Sequence, residues 1–200
     1  MLDISTTLDI IYYIIIGVNF IVSIVVKKLW KHLYFIYFFV TLLREKLVLI
    51  SGYYKLYNFL DLFCIVFFWS VLEPELKNKR ILNFISIVLL FLSVYYIRVS
   101  GNPYSIYTGI SYCIYLILIT LLWFYEKISY ENSYIPIFEY QFFWIGSSLL
   151  LWAVFYLFRM TPMYYIQTED EKFLYFLKYI FQVATNGAYL LFLKGLLSKK

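Results

Sequence analysis

Apolar residues run along this chain in long blocks, separated by short polar clusters, from one end to the other. A hydrocarbon core about 30 Å thick takes about 20 predominantly apolar residues per helical crossing. On that measure the pattern predicts seven membrane-spanning helices, near 7–26, 33–53, 56–72, 81–98, 104–125, 140–158 and 173–193. All four prolines, Pro74, Pro103, Pro136 and Pro162, fall between these blocks. That agrees with the map, because proline removes a helical hydrogen bond and breaks a helix interior. The connections are too short to fold alone, which takes upwards of about 40 residues. The expected fold is all-α: a polytopic membrane helix bundle, with 1–200 as a single transmembrane domain.

Basic residues set the expected orientation. Lys27, Lys28, Lys31, Lys77, Lys79, Arg80, Lys127, Lys194, Lys199 and Lys200 fall on one side of the map, ten in all. The other side holds four, Lys55, Arg98, Arg159 and Lys172. Cytoplasmic loops carry the excess of Lys and Arg. The N-terminus is therefore expected outside and the C-terminus in the cytoplasm, which requires an odd number of crossings. The N-terminal Met-Leu-Asp-Ile-Ser lacks a signal peptide's basic region, so the first span is expected to persist.

Composition sharpens the class. Hydrophobic residues make up 64% and charged residues 14%, with a mean hydropathy of +0.78. Soluble domains are about half apolar and about a quarter charged. Alanine occurs only three times against 23 Tyr and 20 Phe, so helix contacts are expected to use aromatic and β-branched side chains. Many tyrosines, among them Tyr53, Tyr54, Tyr57, Tyr104, Tyr164 and Tyr165, fall near span ends and read as interfacial anchors. The net charge of +5 lies in short turns without a continuous basic face, which favours lipid headgroups over nucleic acid as partner.

Polar residues inside the spans are the candidate site. An ionisable group at mid-membrane costs at least a few kcal/mol and asks for a partner. The second span carries Arg44, Glu45 and Lys46, and the third carries Asp61. Long stems let Arg44 and Lys46 reach for headgroups, whereas the shorter Glu45 should face the bundle. A Glu45 or Asp61 pairing with Arg44 or Lys46 across neighbouring helices is one expectation. Lys178, Gln182, Asn186 and Tyr189 form a single stripe on the last span, and Tyr104, Thr108, Ser111 and Tyr115 form one on the fifth. Asn19 and Ser23 add to the first span, and Arg159 ends the sixth. Two readings stay open: a structural seam that fixes helix order, or an outward-open ligand pocket with Glu45, Asp61, Arg159 and Lys178 near its mouth.

Enzyme signatures are missing from the sequence. There is no Gly-x-Ser-x-Gly context, no His-Glu-x-x-His motif and no phosphate-binding glycine loop. His32 is the only histidine, while Cys64 and Cys113 sit inside spans, so no metal site, disulfide or cofactor is expected. The segment from Tyr125 to Glu139 mixes aromatic and acidic residues and is the expected docking loop for a cytosolic protein partner.

Glu-Tyr-Gln-Phe-Phe-Trp-Ile-Gly-Ser-Ser-Leu-Leu-Leu-Trp at the sixth span and Phe-Leu-Lys-Tyr-Ile-Phe-Gln-Val-Ala-Thr-Asn-Gly-Ala-Tyr-Leu-Leu-Phe at the seventh form a recognisable pair. With Glu45 and Asp61, the pattern resembles short seven-helix membrane proteins of Bacteroidota, similar to membrane input modules near sensor histidine kinases. The resemblance implies a non-enzymatic inner-membrane protein that senses or relays a signal to a partner. Transport of a small solute or ion, and a scaffold or effector role, are the alternatives.

Overall fold

The long apolar blocks form helices because, away from water, a helix satisfies its backbone hydrogen bonds within one segment. In the computed structural model, which describes residues 4–101, 104–130, 136–162 and 171–198, seven α-helices follow one another. They are α1 (Ile4–Val25), α2 (Tyr34–Ser51), α3 (Lys55–Leu72), α4 (Lys79–Val99), α5 (Ile106–Tyr130), α6 (Gln141–Thr161) and α7 (Glu171–Leu197). Short 3₁₀ turns at Lys27–His32 and Ile137–Glu139 precede α2 and α6. Six of the helices are long and apolar enough to cross a membrane. The exception is α2, whose 18 residues carry Arg44, Glu45 and Lys46.

Two groups of helices form compact units. In the first, α7 packs against both α6 and α1. Helix α6 runs antiparallel to α7: Trp144 meets Lys194, Leu151 faces Gly187, and Trp152 meets Phe181. Helix α1 runs parallel to α7. Leu8 meets Asn186, Tyr12 packs edge-on against Tyr189, and the Asn19 amide donates to the Tyr189 carbonyl oxygen at 3.1 Å.

Gly195 sets how closely α6 and α7 approach. A Cβ at this position would lie 2.6 Å from Ile145 Cγ1 and 3.1 Å from both the Gln141 oxygen and the Ile145 nitrogen. The latter two are backbone atoms, which cannot turn aside. At Gly187 the nearest atom to such a Cβ is a leucine methyl at 3.8 Å, ordinary contact.

In the second unit, α2, α3, α4 and α5 pack as successive neighbours, and α3 also lies against α5. An aromatic cluster joins α2 to α3: Tyr37 stacks on Phe67 at 5.6 Å, and Tyr34 and Phe68 meet the same pair edge-on. Such pairs contribute about 0.5–1.5 kcal/mol each beyond the area they bury. Helix α2 ends at Gly52, which adopts φ 63° and returns its N–H to the Val48 carbonyl at 2.9 Å. That left-handed conformation suits glycine because it has no Cβ. Trp69 of α3 donates its indole N–H to Asn83 of α4 at 2.9 Å.

The start of α4 is held by α5. Glu126 accepts the Lys77 and Asn78 backbone N–H groups at 2.7 and 2.9 Å, which satisfies donors that a helix start leaves free. The loop expected over 125–139 begins later than the sequence suggested. Residues through Tyr130 extend α5, Glu126 is buried, and Ile137–Glu139 form a turn whose Glu139 carbonyl accepts from Ser198. The remainder of that loop, 131–135, lies outside the described residues, as do the expected anchors Tyr164 and Tyr165.

Two stability effects follow. Gly195→Ala should cost about 1–3 kcal/mol through overpacking, while Gly187→Ala should change little; thermal unfolding of the purified protein in detergent measures both. Glu126→Ala should cost about 2–3 kcal/mol, since hydrogen bonds to charged groups contribute about 1.5–3 kcal/mol each. In the same melt Lys79→Ala should be near neutral, because its ion pair with Glu73 at 2.9 Å is exposed.

Candidate functional site

Asn58 and Asp61 stand three residues apart on α3 and so share a face. That face meets the beginning of α5, where Tyr104 and Ser105 precede the first helical turn and Thr108 lies within it. Asn58 Oδ1 accepts the Ser105 backbone N–H at 3.0 Å, a cap supplied from another helix. Thr108 Oγ1 lies 3.1 Å from Asp61 Oδ2, 3.1 Å from Asn58 Oδ1 and 2.6 Å from the Ser105 carbonyl oxygen. The Tyr104 hydroxyl donates to Asp61 Oδ2 at 3.4 Å. Asp61 is only 7% exposed and Thr108 fully buried. The result is a carboxyl group enclosed by hydroxyl and amide groups between two helices.

Aromatic rings wall this knot. Tyr57 meets Tyr104 edge-on at 5.8 Å, and the Arg44 guanidinium lies 4.3 Å over the Tyr57 ring. Arg44 also pairs with Glu45 at 2.5 Å. Here the structure departs from the sequence expectation of a pair between neighbouring helices. The ion pair lies within α2, made possible by the long arginine stem, and what Arg44 reaches on α3 is a ring rather than a carboxylate. Glu45 is half-buried and Lys46 exposed. Tyr57 and Tyr104, expected as interfacial anchors, line the knot.

The remaining candidates lie in the other unit. Gln182 donates to Asp9 at 2.7 Å and exchanges a 3.4 Å contact with the Ser5 hydroxyl; Asn186 donates to the Leu8 carbonyl at 3.2 Å. These contacts join α7 to α1, so the stripe on the last helix serves a helix interface there. Asn19 Oδ1 and Asn186 Oδ1 are buried and accept no hydrogen bond among the described residues. Lys178, at the N-terminal end of the stripe, is exposed. Arg159 places its guanidinium 5.0 Å over the Phe181 ring.

Of the fifth-span stripe Thr108, Ser111 and Tyr115 are buried and Tyr104 is half-buried, and Tyr115 meets Ser86 of α4 at 3.5 Å. Asn58, Ser105 and Glu126 did not enter the sequence-based candidates. For Asn58 the signal was present, since it lies one turn from Asp61 on the same face. For Ser105 and Glu126 only the fold reveals the partner, because their bonds span 47 to 49 residues. Cys64 and Cys113 are buried free thiols. Among the described residues, no three His, Cys, Asp or Glu side chains converge where a metal could be held.

Comparison with protein-family models, with curated proteins and with solved structures finds no match to this chain.

Within the knot, the cost of substitution should follow burial and bond count. Asn58→Ala removes the acceptor of the Ser105 backbone N–H and should cost about 1–3 kcal/mol. Tyr104→Phe gives up the 3.4 Å bond to Asp61 at a half-buried position and should cost under about 1 kcal/mol. Unfolding midpoints of the two variants in the same detergent test the ranking.

Proposed function

We propose that this chain is a non-enzymatic, multi-pass protein of the bacterial inner membrane that senses or relays a signal to a protein partner. The observation that carries this reading is the Asp61 knot: a buried carboxyl bonded to residues at the start of a second helix. Ionisable side chains within membrane helices face bundle interiors and mark ligand or proton pathways. A group whose bonds hold two helices together lets whatever binds it bias their packing, and a stimulus acts only through such a differential effect. The resemblance to Bacteroidota input modules points the same way.

Seven crossings, with the N-terminus outside and the C-terminus in the cytoplasm, belong to this proposal. The parallel run of α1 and α7 supports it, because two parallel spans must have an odd number of crossings between them. If α3 to α6 all cross, α2 has to supply the fifth despite its three charges. Pairing Arg44 with Glu45 lowers the cost of that placement.

The small-solute or ion transporter draws on the same carboxyl, since transporters also place acids in their spans. Asp61→Ala should alter the host's transcriptional response to expression of the chain while leaving protease-protection patterns of the inserted protein unchanged. Loss of insertion would reduce the knot to a structural seam. Solute flux through liposomes holding this chain alone would favour transport. Reporter fusions at the two ends should report opposite compartments; the same compartment for both would overturn the seven-span reading.

A further inference from the structure

Hydrogens are too few for the oxygens gathered around Thr108. Its hydroxyl carries one hydrogen, yet Ser105 O, Asn58 Oδ1 and Asp61 Oδ2 all lie within 3.1 Å of it. The shortest of these contacts, 2.6 Å to the Ser105 carbonyl in the adjacent turn, takes that hydrogen. Asn58 Oδ1 has the Ser105 backbone N–H at 3.0 Å as its donor, whereas Asp61 Oδ2 then faces Thr108 Oγ1 at 3.1 Å with no hydrogen between the two oxygens. An ionised carboxylate is an acceptor only, whereas a carboxylic acid adds one donor. A proton on Asp61 Oδ2 completes the chain: Asp61 donates to Thr108, and Thr108 donates to Ser105.

We propose that Asp61 is a reversible proton-binding site, with Thr108 as the acceptor that holds its acid form, so that the species sensed at this knot is the proton. This rests on the functional reading above and names its stimulus. The proton comes from hydronium in the aqueous phase: one hydronium O–H bond breaks, leaving water, as one O–H bond forms on Asp61 Oδ2, and release reverses both changes.

The groups facing Asp61 fit this role. From α2 comes Arg44, whose charge is already matched by Glu45 in contact with it. From α5 come Tyr104, at hydrogen-bond distance, and Cys113, and on α3 itself lies Cys64. Among the described residues α4 brings no charged group to bear on it. Losing the proton would leave Asp61 competing with Ser105 for the single Thr108 hydrogen. The first turn of α5 would then exchange its own bond for one to α3. Proton release is thereby coupled to the α3–α5 contact.

The full-length protein in lipid nanodiscs, followed by difference infrared spectroscopy through a pH titration in potassium buffer, tests this. The expected result is a protonated-carboxyl C=O band at neutral pH that shifts in D₂O, disappears reversibly on raising the pH and is absent from Asp61→Asn. Thr108→Val should displace that band, because the acid loses its acceptor. No Asp61-dependent band at any pH down to mild acid would overturn the proposal. A band that sodium or potassium abolishes at constant pH would overturn it in favour of a metal cation on the same oxygens. Asp61→Asn mimics the acid form and should hold the transcriptional response at its low-pH level. A titrating band with an unchanged response would defeat the signalling reading and leave the proton site standing; a changed response without a band would do the reverse.

Discussion

Lipid offers no hydrogen bonds, so every polar group in a spanning helix must be satisfied by the protein itself. The polar side chains of this chain divide by how they meet that demand. Thr41, Ser86, Ser93 and Ser147 donate to the carbonyl four residues earlier in their own helix and need no neighbour. Asn19, Asn58, Asp61, Asn83 and Asn186 are bonded across helices. Side-chain bonds between membrane helices average about 0.6 kcal/mol each. They fix register more than they add stability, which is left to aromatic contacts and close backbone approach.

That division explains why Asp61 differs from the other polar residues. A hydroxyl can bond back to its own helix, and an asparagine amide carries both donors and acceptors. An aspartate has no donor unless it binds a proton, and it is too short to reach far. Placed opposite the first turn of α5, where the Ser105 N–H needs a partner, Asn58 and Asp61 meet a helix end instead of a featureless flank. The neutral amide takes the backbone donor and leaves the carboxyl to the Thr108 and Tyr104 hydroxyls.

Much of the fold was legible from hydropathy. The seven apolar blocks coincide with the seven helices to within a few residues, and the stripe through Thr108, Ser111 and Tyr115 is buried as its spacing implies. Legibility failed where an outcome depends on a partner distant in sequence. Glu126 looked like part of an acidic loop because nothing local reveals that two N–H groups nearly 50 residues earlier need an acceptor. Gly195 carried no signal because its role is set by the backbone of α6. Arg44 was expected to seek an acid on another helix; the adjacent Glu45 already supplied one, so its guanidinium plane was free to lie on Tyr57.

The charged triplet of α2 therefore has a physical logic in an otherwise apolar chain. Arg44 neutralised by Glu45 acts on Asp61 only through what remains of its field, and Tyr57 holds it in place without offering a second charge. Had Arg44 paired directly with Asp61, the carboxyl would be fixed as an anion and Thr108 would have to turn from Ser105 to meet it. Keeping the cation on Glu45 leaves Asp61 among neutral donors and acceptors, where a small change in charge alters which helix the Thr108 hydrogen serves. A bundle built mainly of aromatic and aliphatic contacts has few places where one charge can decide the packing of two helices, and this arrangement concentrates that sensitivity at a single carboxyl.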